Sequence, residues 1–298
     1  MEIQPKTYYK TKLISKITSD TLEELREQLI TVSEKRGKLF ESLSNFKKDL
    51  KKIRRRRKLL GWYPLKKLFK SKIDEWDEQI EDLNIKIDQD ENELIECKMR
   101  IDIDINENTE FGFSALYEAF GELQGSEKIW DVTTSQKADR VTLRTTAEDL
   151  IERKMIAFDK QELDLVSCDY EALYLENANG SDIYLYPLFI LLVDKKDFAL
   201  IDLKDIDIEY RQTNFIETES IPEDAEVSGY TWAKANKDGS RDKRFSSNYQ
   251  IPVMNYGIIY LKSKKGFNEA YMISNAYALI EFGRILTDYQ VILNNIIN

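Results

Sequence analysis

"KKIRRRRKLLGWYPLKKLFKSK", residues 51–72, decides how the first third of the chain folds. Gly61 and Pro64 fall within four residues of each other, and Pro64 cannot continue a helix because its ring removes a backbone donor and clashes with the preceding turn. Upstream, apolar residues recur at alternating steps of three and four: Leu22, Leu25, Leu29, Val32, Leu39, Leu43, Phe46, Leu50, Ile53 and Leu60, with Arg36 and Arg57 interrupting. Downstream the same spacing gives Phe69, Ile73, Trp76, Ile80, Leu83, Ile87, Leu94, Cys97 and Ile101, with Asp90 as its polar break. Steps averaging 3.5 residues keep one seam toward a partner helix. Two such helices around one short turn predict that residues 1–106 form an extended N-terminus and an antiparallel coiled-coil hairpin, capped near Ser19 or Thr21, with arms of roughly 60 Å at about 1.5 Å per residue. A parallel dimer of separate helices is the alternative.

Charge is polarised along the chain. Residues 1–72 hold 21 basic and 8 acidic side chains, and the remainder holds 23 basic and 46 acidic, for a net charge of −10. A hairpin gathers the cations of 47–72 at its tip. The residues expected to contact a polyanion there are Lys51, Lys52, Arg54, Arg55, Arg56, Arg57, Lys58, Trp62, Tyr63, Lys66, Lys67 and Lys70. Cations interleaved with aromatic rings suit nucleic acid first, where phosphates meet cations and rings stack on bases. They suit an anionic membrane second, where Trp and Tyr settle at the interface. A solvated coiled-coil end whose rings only close the turn is the plainer reading.

The chain has no histidine, which excludes His-assisted hydrolases, His-based acid–base catalysis and His-ligated metals. Two distant cysteines, Cys97 and Cys168, make neither a disulfide framework nor a zinc site. The N-terminus has no apolar signal region, and the longest apolar run, "LYPLFILLV", is about half the ~20 residues that span a bilayer. These features lead to the expectation of a cytoplasmic protein.

After residue 106 the heptads stop. Residues 107–126 read as a linker and a short helix ending near Gly121, and 127–298 as a β-rich domain closed by the amphipathic helix "NAYALIEFGRILTDYQVILNNI". Strand patterns appear in "KIWDVTT", "RVTLRTT", "LIERKMIAFD", "YEALYLE", "IYLYPLFILLV", "FALIDL", "DIDIEYRQTNFI", "YGIIYLKS" and "EAYMIS". The fold class is therefore α+β, with a pleckstrin-homology-like plan for the mostly antiparallel sheet and its capping helix.

Within this part, "KIWDVTTSQKADRV", "NANGSDIYLYPLFILL", "FALIDLKDIDIEY", "FIETESIP", "TWAKANKDGSRDKRFSSNYQIP" and "GFNEAYMISNA" run in order through about residues 127–285. In these motifs the chain resembles an uncharacterised bacterial C-terminal domain that follows differing N-terminal regions. The resemblance implies a reusable recognition or assembly module and brings no catalytic residues with it.

Three further constellations invite chemistry. "NKDGSRD" sets Asn236, Asp238, Ser240 and Asp242 at the alternating spacing of a calcium loop, but interleaved cations and the missing terminal Glu argue for a polar connector between strands, pinned by Trp232 and Phe245. Its Lys234, Lys237, Arg241, Lys243 and Arg244 could form a second basic patch. Asp131 with Glu152-x-Lys154 matches the Asp…Glu-x-Lys set of a Mg²⁺-dependent nuclease, a pattern that also arises by chance among so many Glu and Lys. "NANGSD" reads as a turn with Asn179 or Gly180 at positive φ. No phosphate loop is present, and no cofactor or small-molecule substrate is implied.

The function expected is non-enzymatic tethering: the basic aromatic tip binds a polyanion while the acidic β domain binds a protein partner or another copy. The alternatives are the nuclease and a purely structural coiled-coil oligomer.

Overall fold

The computed structural model describes residues 6–11, 14–60, 68–137, 149–195 and 197–295. The chain divides into two compact units, one of residues 27–101 and 163–167, the other of residues 1–26, 102–162 and 168–298. The fold is α+β.

The smaller unit is built on two helices, α1 (Glu23–Leu60), whose first residues belong to the larger unit, and α2 (Lys70–Glu96). They run antiparallel. Leu43, Leu50 and Ile87 form the buried seam, flanked by Phe46, Ile80, Leu83 and Leu94, as the heptad spacing requires. Both arginines that interrupt the apolar series serve the pairing. Arg36 donates to the carbonyls of Leu94 (2.8 Å) and Cys97 (2.9 Å), satisfying acceptors that the end of α2 leaves open. Arg57 grips Asp77 with two donors. Lys35–Glu93 (2.8 Å) and Lys47–Glu91 (2.7 Å) tie the arms elsewhere. The Gly61–Pro64 turn, with Trp62, Tyr63, Lys66 and Lys67, lies outside the described residues. So does the strand expected in "RVTLRTT".

The larger unit has two antiparallel sheets. The first joins β1 (Thr7–Tyr8), β3 (Ile129–Lys137), β4 (Asp149–Ile156), β11 (Ile206–Ile216), β12 (Glu226–Trp232), β13 (Gln250–Ser263) and β14 (Asn268–Ile273), in the order β1-β3-β14-β13-β11, with β4 beside β3 and β12 beside β13. The second runs β10-β9-β8-β7-β5, where β5 is Phe158–Gln161, β7 Ala172–Leu175, β8 Asp182–Leu185, β9 Phe189–Asp194 and β10 Asp197–Asp202. Strands β2 (Met99–Ile101) and β6 (Val166–Cys168) pair with each other.

Alternation along β14 sorts its side chains. Tyr271 and Ile273 join a core built with the second sheet and two helices, α3 (Glu107–Gln124) and α4 (Ala276–Asn295). Ala270 and Met272 join a second cluster on the other face with Trp130, Val132, Met254 and Tyr256. The first sheet is thus buried on both faces around β14. Compared with the pleckstrin-homology-like plan, the C-terminal helix is present, but a second helix shares its core and the strands form two sheets.

Three expectations need correction. Residues 107–124 are one continuous helix rather than a linker and a short helix: Asn106 accepts from Thr109 N–H (3.0 Å) as its cap, and Phe113, Leu116, Phe120 and Leu123 are buried. Residues 1–26 belong with the β-rich unit and not with the hairpin, since β1 extends the first sheet and Ser19 N–H bonds to Leu200 O (2.8 Å). Ser19 does not cap α1, because its hydroxyl donates to Asp205 (2.8 Å).

Candidate polyanion interface and the buried acidic cluster

Residues 51–58 lie in the last part of α1, where like charges would repel unless solvent or partners take them up. The helical period divides them. Arg54 reaches Asn84 Oδ1 (3.2 Å) and Arg57 engages Asp77, so both are turned toward α2. Lys51, Lys52, Arg55, Arg56 and Lys58 are exposed and have no partner among the described residues. Lys47, Leu50, Lys51, Arg54, Arg55 and Lys58 line a shallow groove of about 430 Å³ along one side of α1. Lys70 is exposed at the start of α2. Three large apolar side chains stand in water at the same end: Leu59 (74% exposed), Leu68 (82%) and Phe69 (39%).

The second basic patch belongs to the connector between β12 and β13. Lys234, Lys237, Arg241, Lys243 and Arg244 are all exposed. Arg244 forks onto Asp242 (2.9 and 2.8 Å), and Arg241 lies over the Trp232 ring (5.4 Å) while donating to Ser246 O (3.1 Å). The loop is pinned by the buried Asp242 rather than by Phe245, which is exposed. The oxygens of the calcium-like set serve the loop itself: Asp238 accepts from Ser240 N–H (3.0 Å) and hydroxyl (2.7 Å), and Asn236 donates to Ser240 (2.9 Å). Gly239 (φ 84°) supplies the left-handed turn residue.

The structure sets Asp131 opposite Lys154 across β3 and β4, with Glu152 opposite Thr134 beyond a bulge. Lys154 is near enough for its charge to act on Asp131, but the Asp131 and Glu152 carboxyls do not converge. Glu152 faces solvent, held by Lys6 (2.7 Å) and Thr134 (2.9 Å), and these bonds keep its carboxyl below the ordinary range. Asp131 is fully buried. Among the described residues, no three His, Cys, Asp or Glu side chains gather as metal ligands.

Asp131 belongs instead to an acidic cluster that sequence reading missed. Tyr271 is its register partner across β3 and β14, and Glu269 lies two residues from Tyr271 on the same strand face. One Asp131 oxygen accepts from Ala178 N–H (3.1 Å), and one Glu269 oxygen accepts from Thr11 N–H (2.9 Å) and from its hydroxyl. Asp131 Oδ1, Glu269 Oε2 and Tyr271 Oη are buried without a partner. Burial, reinforced by the neighbouring Glu269, pushes the Asp131 carboxyl up to about 7. Burial also raises Glu269, although the two Thr11 bonds oppose that shift. The turn above it holds neither Asn179 nor Gly180 at positive φ, because the Asn177 side chain closes it by accepting from Asn179 N–H (3.0 Å).

Comparison of the chain with family models, with curated proteins and with solved structures returns no match.

Proposed function

We propose that this chain is a non-enzymatic tether whose hairpin binds a polyanion through the turn-side half of α1, while the acidic β-rich unit engages a protein partner. The observation that carries the reading is the set of five exposed cations, Lys51, Lys52, Arg55, Arg56 and Lys58, which have no partner among the described residues and lie on slightly more than two helical turns. A helix that used these residues for its own stability would pair them with acids one turn away, as Arg284 pairs with Glu281 and Asp288 in α4. A polyanion replaces the water around such exposed cations while releasing its own counterions.

Because Arg54 and Arg57 are already engaged by Asn84 and Asp77, the informative variant leaves them in place. Changing Lys51, Lys52, Arg55, Arg56 and Lys58 to Gln removes the surface charge and preserves the hairpin. Fluorescence anisotropy with a labelled single-stranded oligonucleotide, alongside flotation with anionic vesicles, tests it. The wild-type chain binds at least one of the two and the variant loses at least tenfold in affinity; unchanged binding in the variant refutes the assignment.

A further inference from the structure

Resting on that polyanion reading, we infer that the surface engaged is an anionic phospholipid bilayer, with Leu59, Leu68 and Phe69 seated among its headgroups. The last cross-arm pair is Arg57–Asp77, and all three apolar residues lie beyond it on the turn side of the hairpin. There α1 continues three residues past Arg57, and Leu68 and Phe69, nine and eight residues before Asp77, directly precede α2. Leu59 and Leu68 are among the most exposed large apolar side chains of the described residues, at 74% and 82%.

A nucleic acid gives such residues nothing to do. Phosphates meet the cations and bases stack on planar groups, but a branched aliphatic chain neither stacks nor pairs, so both leucines would remain in water. The boundary between headgroups and acyl chains accepts aliphatic side chains and anionic lipids attract the adjacent cations, so one surface satisfies both. Lys58 directly precedes Leu59 and Lys70 directly follows Phe69, while Lys51, Lys52, Arg55 and Arg56 lie earlier on α1. Among the described residues no helix is long and apolar enough to cross a membrane, so the attachment is peripheral.

The test uses the full chain and three proteins: wild type, the five-cation Gln variant, and Leu59→Ser/Leu68→Ser/Phe69→Ser. All three substituted apolar positions are exposed, so the core is untouched. Flotation with phosphatidylcholine vesicles, with and without about 30% phosphatidylserine, is read beside anisotropy with the oligonucleotide. Binding that requires phosphatidylserine, falls about tenfold or more in the Ser variant and is lost in the Gln variant supports the inference. Wild-type chain that binds the oligonucleotide but not the vesicles overturns it and leaves the polyanion reading standing. Equal flotation of wild type and the Ser variant overturns the apolar contribution, and binding to neither probe overturns both readings.

Discussion

The end of α1 and the interior around β14 both concentrate charge of one sign, and they accommodate it by opposite means. On α1, eight consecutive positions carry seven cations, yet every one is exposed and only two have partners among the described residues. Around β14, Asp131 and Glu269 share one face of the first sheet with no water-facing surface, and burial pushes both carboxyls above the ordinary range, which favours their neutral forms. A third site, Arg153, shows the remaining solution. Its guanidinium lies 3.9 Å from the Trp130 ring and 4.1 Å from Phe215, and donates to Glu217 at 2.7 Å. Burial alone would raise Glu217, but the bonds from Arg153 and Tyr256 outweigh it, and its carboxyl lies below the ordinary range. Solvation leaves charge available to a ligand, whereas protonation and pairing commit it to the fold.

The largest expected effect comes from breaking the pair. Arg153→Ala leaves Glu217 as an uncompensated buried charge and removes the group between two rings, so stability falls by about 3–5 kcal/mol. Urea denaturation measures this; a loss under 1 kcal/mol would place Glu217 in contact with water and erase the contrast with α1.

Next is the buried acidic cluster. Asp131 has a folded value near 7 against an unfolded value near that of a free carboxyl, so the folded chain binds the extra proton. Its contribution is complete below the unfolded value and is lost as pH rises toward 7, at about 1.4 kcal/mol per pH unit at most. Between pH 5.5 and 7.5 the wild-type melting temperature falls, and Asp131→Asn, which keeps an acceptor for Ala178 N–H, flattens that slope. An unchanged slope in the variant would assign the pH dependence elsewhere.

Smaller effects lie at the surface. Asp242→Ala frees Arg244 and opens the β12–β13 connector, which accelerates amide exchange across 234–245 without lowering the global melting temperature. Asp77→Asn weakens an exposed pair and leaves the melting temperature unchanged within error, since solvent screens such pairs. A cooperative loss of stability there would mean that the hairpin depends on Arg57 far more than its exposure implies.

How much of this was legible in the sequence follows the range of the interactions. The hairpin arms were readable because the seam repeats locally, down to Leu43, Leu50 and Ile87. The cations were readable as a group, but their division into engaged Arg54 and Arg57 and free neighbours depends on where Asn84 and Asp77 fall on the other arm. β12 escaped notice because "EVSGYTW" is mostly exposed and lacks an apolar face. The start of α3 escaped because "NENTEFG" reads as loop until Asn106 is seen capping it and Phe113 is seen buried. Asp131 and Glu269 stand 138 residues apart, and only the pairing of β3 with β14 brings them together. The pattern of "EAYMIS" was legible as a strand, but not that both faces of that strand are covered.

The most direct test of the central claim is the salt dependence of polyanion binding by the intact chain. With five free cations on α1, the slope of log affinity against log salt is steep, about −3 to −4 for a single strand, and the five-Gln variant becomes nearly flat. A slope that is the same in both proteins would contradict the account, because the exposed cations of α1 would then not be what the polyanion meets.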